Sequence, residues 1–328
     1  MNRRDVIRTL GGALVVAPLF ARSQPAAGRF TIGMLGVGSP GSPGSSGPYD
    51  AFYARMRDLG YVEGRNISYE ARWAHGQLDR LPGLAAELVA LRVDVIVASF
   101  DPAIVAARRA TSTIPIVMTL PTAPPEEGLI ASLARPGGNV TGLSSWAGNT
   151  ELRGQRLALL KAIVPGLSRV VVLGYVGDRD KFVAEQSTYA QRLGLSVDVA
   201  EVRNVNDIDK ALSAIAGKRP DALVDIGQVT FLRPQQIADF ALAQRLPCIG
   251  PARVFAQAGH LLSLGVDSDD RYRRAASYVD KILKGAKAGD LPVEQPTKFE
   301  LIINLKTAKA LGIRIPQAVL VRADEVIQ

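Results

Sequence analysis

The chain has 328 residues, 47% hydrophobic and 21% charged, enough for two packed domains of about 150 residues each. Its formal charge of +8 does not mark a nucleic-acid binder. Residues 1–23 hold Arg3, Arg4, Arg8 and Arg22 against Asp5, and the other charges are scattered, without a basic run or interleaved aromatics. Cys248 is the single cysteine, which excludes an internal disulfide and reads as a small buried hydrophobe. His75 and His260 are too few and too isolated for a histidine metal site or an obvious Ser-His-Asp arrangement.

The first 23 residues, MNRRDVIRTLGGALVVAPLFARS, have a basic start, an apolar segment from Leu10 to Phe20, and small residues Ala21 and Ser23 before Gln24. That is the layout of a secretory signal, and the apolar run is too short for a membrane span. Arg3 and Arg4 resemble a twin-arginine export signal. The expected mature protein is soluble and periplasmic, and the absence of a lipobox cysteine argues against a lipid anchor.

Downstream, β-rich apolar runs alternate with helical patterns. Strands are expected at 30–37, 67–73, 93–99 and 114–120, then at 169–175, 195–202, 221–227, 247–250 and 261–266. Near-continuous Val/Ile/Leu runs separated by helices imply parallel sheets covered on both faces. Phe182, Gln186, Tyr189, Ala190 and Leu193 make one helical stripe, ended by Gly194. Tyr272, Ala275, Ala276, Val279, Ile282 and Leu283 make another, ended by Gly285. The expected fold is α/β, two doubly wound parallel-sheet lobes joined by a hinge. Residues 24–144 form the N-terminal lobe and 145–266 the C-terminal lobe, with the boundary close to Gly142–Ala147. Residues 267–328, with a strand-like FELIIN at 299–304, form a hinge-crossing segment that returns to the N-terminal lobe.

Three motifs have bland readings. Gly36-Val37-Gly38-Ser39-Pro40-Gly41 matches G-x-G-x-x-G after a strand, but a dinucleotide fold needs that turn to open a helix. Here Pro40, Pro43 and Pro48 prolong the loop to about Tyr49, so a cleft-rim loop is expected and no cofactor. Glu126-Glu127 read as first-turn carboxylates of a helix through Leu129, Ile130 and Leu133. Asp267-Ser268-Asp269-Asp270 fits no EF-hand spacing and reads as a helix cap, leaving no metal site.

In open α/β sheets, ligands sit at the carboxyl ends of strands, and helix N-termini favour anionic groups. Candidate contacts are therefore Ser99, Phe100, Thr119 and Pro121 in the first lobe, and Tyr175, Gly227, Gln228 and Arg253 in the second. Asp101, followed by Pro102, reads as a helix cap. Arg253 and the helix N-terminus after Ser99 favour a carboxylate on the solute, an amino acid or aromatic acid. The alternative for Arg253 is pairing with a nearby acid of the second lobe. No catalytic constellation is apparent.

The chain resembles the family of ABC transporter substrate-binding proteins often labelled tryptophan/tyrosine transport-like. The resemblance rests on RWAHGQLDRLPGLAAELVALRVDVIVAS (72–99), ATSTIPIV (110–117), LIASLARPGGNVTGLS (129–144) and ELRGQRLALLKAIVPGLSRVVVL (151–173). It continues through 272–313 and the tail LVRADEVIQ (320–328). It implies a type I periplasmic-binding-protein fold, a monomer that captures a small organic solute between its lobes and docks on a membrane permease. In the family pattern, Trp73, Pro136-Gly137-Gly138 and Pro296 read as core and turn residues rather than solute contacts. A ligand-sensing module for a receptor would use the same closure, and a periplasmic α/β enzyme is the remaining alternative. A transcription repressor would need N-terminal DNA-binding helices where this chain has an export signal.

Overall fold

The computed structural model describes residues 29–39, 47–121, 128–144, 149–176, 179–296 and 299–328. The expected export signal, Pro40 to Pro43, Glu126-Glu127 and the boundary residues 145–148 lie outside the described residues.

The first part of the chain runs β1 (Phe30–Gly36), α1 (Gly47–Asp58), β2 (Ile67–Trp73), α2 (Leu81–Ala90), β3 (Val95–Ala98), α3 (Asp101–Ala110), β4 (Ile116–Met118) and β5 (Val140–Gly142). Its sheet is parallel throughout, in the order β2-β1-β3-β4-β5. There follow α4 (Asn149–Ile163), β6 (Arg169–Gly174), α5 (Arg179–Arg192), β7 (Ser196–Glu201), α6 (Ile208–Lys218) and β8 (Ala222–Asp225). Then come α7 (Pro234–Ala243), β9 (Cys248–Gly250), α8 (Arg253–Gln257) and β10 (Leu262–Val266). The last part is α9 (Ser268–Leu283), β11 (Phe299–Asn304), α10 (Leu305–Leu311), α11 (Gln317–Leu320) and β12 (Glu325–Ile327).

The second sheet has the order β12-β11-β10-β9-β8-β6-β7. Its strands β6 to β10 repeat the order of the first sheet, and only the β10–β11 pair is antiparallel. In both sheets the strand order reverses beside the first strand, β1 or β6. That reversal opens a crevice at the carboxyl ends, where such folds bind ligands.

The helix α9 packs against α1, burying Tyr272, Ala275, Ala276 and Val279 with Phe52 and Met56. Asp267 caps it by accepting a hydrogen bond from the Asp270 amide at 3.1 Å. The strand β11 departs from the expectation for the tail: it pairs along its length with β10 and adds β12 beyond it, so both belong to the second sheet. Alternating Leu301, Ile302 and Ile303 give FELIIN an apolar side chain for each face, and periodicity alone could not choose its partner strand. Two crossing segments run side by side: Ser144 donates to the Glu294 carbonyl at 2.8 Å, and Glu294 to the Gly142 carbonyl at 3.0 Å.

Two local expectations also change. No helix forms over Leu129–Leu133, which is a series of turns and bends with Leu129 and Ile130 buried. Gly128 is left-handed (φ +67°), a conformation that interrupts any helix running from Glu126-Glu127 into Leu129. Helix α3 opens one residue earlier than expected, with Phe100 at the cap and Asp101 as its first residue.

At Gly36 the fold needs a missing side chain. A Cβ there would lie 2.2 Å from Trp73 Cζ3, because the indole lies across the end of β1. We expect Gly36→Ala to displace the Trp73 ring and destabilise the fold by about 1–3 kcal/mol, the usual cost of overpacking. A urea midpoint equal to that of the wild type would show that the indole is not held there.

Candidate functional site

The carboxyl ends of β3 and β4 carry the centre of a buried hydroxyl cluster. Ser99 Oγ lies 2.7 Å from Tyr49 Oη and 2.6 Å from Tyr272 Oη, and accepts a hydrogen bond from Thr119 Oγ1 at 3.0 Å. Ser99 is 1% exposed and Thr119 is fully buried. One hydroxyl offers one donor and two acceptor sites, so these three partners use all that Ser99 has. Burial raises both tyrosines above their ordinary range, which keeps them neutral hydrogen-bonding groups at physiological pH.

Above this cluster lies a small cavity between the lobes. Its lining includes Tyr49, Trp73, Ser99, Phe100 and Tyr272 from the first lobe, and Gln228, Phe231 and Leu232 from the second. The rings interlock edge-on: Tyr49 is 4.9 Å from Trp73 and 4.7 Å from Tyr272, and Phe231 is 4.7 Å from Phe255. Phe100 and Phe231 meet across the lobes at 5.4 Å. None of the described lining residues is charged.

The lobes are closed on each other. The void is about 20 Å³, roughly the room one water needs. Beside it the Val205 amide donates to the Gly76 carbonyl at 3.1 Å, and Gln77 bridges to Asn204. The loop before this contact is tied to the glycine-rich motif, since His75 and Gly76 donate to the carbonyls of Gly38 and Val37. A buried apolar cluster also runs from Ile96, Ala98 and Ile104 of one lobe to Leu173, Leu223 and Cys248 of the other.

Phe100 and Gln228 share an unusual backbone, with φ of +67° and +64°, a region that is a genuine outlier for bulky side chains and clusters at functional sites. Gln228 is held by Asp225, which is fully buried. Asp225 Oδ1 accepts from the Gly227 amide at 2.9 Å and from Thr230 Oγ1 at 2.5 Å. Its other oxygen lies 3.6 Å from His260 Nε2.

Of the eight candidates, Ser99, Phe100 and Gln228 line the cavity, and Thr119 supports it from behind. Gly227 shapes the Gln228 turn, with φ +82° and Phe231 where a Cβ would be. Pro121 is buried at the edge of the described segment, and Tyr175 is half-buried beyond β6, neither among the cavity's lining residues. Arg253 is elsewhere. Its guanidinium bonds both Glu300 of β11 and Glu325 of β12, strands whose place in the second sheet the sequence pattern does not reveal.

Trp73, read from the sequence as a core residue, lines the cavity, and Tyr49, Phe231 and Tyr272 join it unannounced. Tyr49 and Tyr272 are the third residue of α1 and the fifth of α9, and that nearness to a helix N-terminus is the signal that could have found them. Arg271, beside Tyr272, is 4% exposed; its Nε donates to the Thr119 carbonyl at 3.2 Å, and its buried Nη2 has no hydrogen-bond partner among the described residues. Burial, then the neighbouring Arg274, brings it down to about 10. Cys248 is buried and its thiol is pushed well above its usual range by desolvation and by Asp225, as suits an inert core residue. Among the described residues there is no acid, histidine and cysteine cluster able to hold a metal.

A family model described as ABC transporter substrate binding protein matches residues 42–327. The chain belongs to this family. It is 28% identical over 265 residues, 80% of its length and 76% of the relative's, to a tyrosine-binding protein of Clostridioides difficile. A solved domain from Streptococcus pneumonia in complex with L-Trp is 27% identical, with a TM-score of 0.82 over 91% of this chain and 100% of that one. A conserved domain protein from Vibrio cholerae is 28% identical, also at 0.82, over 92% and 99% of the two chains. The two-lobed fold and the role of solute-binding component in ABC transport follow from this membership. Such components work outside the cytoplasmic membrane, and no described helix is long and apolar enough to cross one.

If Ser99 is the centre of the hydroxyl cluster, Ser99→Ala leaves three buried hydroxyls short of a partner. We expect a loss of about 1–3 kcal/mol in urea unfolding; an unchanged midpoint would refute the cluster's structural role.

Proposed function

We propose that this protein captures an aromatic amino acid between its lobes and delivers it, as a monomer, to a membrane permease. The observation that carries the reading is the cavity wall: three rings of the first lobe, Tyr49, Trp73 and Tyr272, facing Phe100 and Phe231, with hydroxyls and one amide as the polar groups. A planar apolar group fits such a wall, and a few directional donors orient it, as in most small-molecule sites. The relatives named for tyrosine and complexed with L-Trp support the same class. Closure would bury the solute, and the paired crossings at Gly142–Ser144 and Glu294 are where the lobes would hinge. Export through the twin-arginine signal at Arg3-Arg4 would place the protein in the periplasm.

The carboxylate of such a solute needs a cation, and Arg253 is occupied by Glu300 and Glu325. Arg271 suits the role from behind the cavity: it is not among the lining residues, but it neighbours Tyr272, and its Nη2 is buried and without a partner among the described residues at the carboxyl end of β4. Titration calorimetry with L-tryptophan and L-tyrosine tests both statements. Arg271→Gln is expected to weaken binding about tenfold to a hundredfold, the scale of a hydrogen bond to a charged group, and Arg253→Ala to leave it unchanged. The reverse pattern, in variants that still melt cooperatively, would return the carboxylate to Arg253.

A further inference from the structure

We propose that Gln228 is the specificity-determining residue of the cleft, selecting solutes whose aromatic ring carries an N–H or O–H donor. This rests on the aromatic reading of the cavity above. The Gln228 side chain lines the cavity, is 7% exposed, and its Oε1 is buried with no hydrogen-bond partner among the described residues. An orphaned buried acceptor is destabilising, and native structures rarely leave one without a reason. Its backbone adds a second cost, since φ of +64° is unfavourable for glutamine.

Both costs are imposed by built structure. Asp225 grips Gly227 and Thr230 on either side of Gln228, the Gly227 carbonyl lies 2.9 Å from Thr230 Oγ1, and Gly227 itself turns at φ +82°. The turn is therefore clamped from inside the second lobe, and Gln228 is presented to the first. Opposite it stand Tyr49, Trp73 and Tyr272. The hydroxyls among them are tied to Ser99, whereas the Gln228 oxygen facing them is a buried lining acceptor with no hydrogen-bond partner among the described residues. A ring seated between these walls can satisfy that acceptor through an indole N–H or a phenol O–H, and a phenyl ring cannot. A site built to bond such a group rejects the analogue that lacks it, because its own polar atom stays unpaired.

The test uses two matched pairs, L-tyrosine against L-phenylalanine and L-tryptophan against 1-methyl-L-tryptophan, titrated into the wild-type protein and into Gln228→Met. The wild type should prefer the donor-bearing member of each pair by at least about tenfold, and in Gln228→Met the preference should collapse. Equal wild-type affinity within both pairs would overturn the assignment without any variant. So would equal weakening of all four ligands in Gln228→Met, which would put the oxygen on the ammonium group they share. If none of the four binds the wild type, the aromatic reading itself falls.

Discussion

Four hydroxyl-bearing side chains from four elements meet at Ser99. Tyr49 comes from α1, Ser99 from the end of β3, Thr119 from the end of β4 and Tyr272 from α9. The helix α9 reaches this point only after the chain has built most of the second sheet, so the cluster closes the first lobe around a late segment. It also sets the angle of two of the three rings that make one wall of the cleft. Buried polar networks of this kind specify one arrangement when every member is satisfied, and Ser99 has a partner for its donor and both acceptor sites.

The second wall rests on a different device. Asp225, at the end of β8, holds the turn that carries Gln228 and Phe231, and it does so with a carboxylate shielded completely from solvent. The two walls are unlike: one is a set of neutral phenols and an indole tied by hydroxyls, the other a clamped amide backed by Phe231 and Phe255. Their closure brings Phe100 onto Phe231 and joins the Gly76 and Val205 loops outside the cavity.

Much of the architecture was legible because the strands are buried on both faces and read as continuous Val/Ile/Leu runs. Val95–Ala98 and Leu262–Val266 fell within the expected strands, and the α9 stripe ended at its glycine as periodicity implies. The strands β5 and β12 lie in no longer apolar run and carry too little pattern to be seen, whereas the equally short β4 and β9 fall within the expected 114–120 and 247–250. Ser99, Phe100 and Gln228 could be found because strand ends define the crevice. Trp73 and Tyr272 read as packing residues, since an aromatic in a core or on an apolar stripe has the same signature when it faces a cavity, and Tyr49 reads only as the start of a helix. Arg253 has two readings in the sequence, a solute carboxylate or a nearby acid of the second lobe, and the structure gives it the second: Glu300 and Glu325 arrive on β11 and β12, which no local signal assigns to the second sheet.

The central claim is that the closed cleft is shaped for an aromatic solute. Native mass spectrometry of the protein purified from its native cells, with the bound molecule released by denaturation and identified, addresses it most directly. A released aromatic amino acid, retained by the wild type and lost from a Trp73→Ala, Tyr272→Ala double variant that still folds, is the expected result. A sugar or an aliphatic amino acid held equally by both proteins would contradict the account.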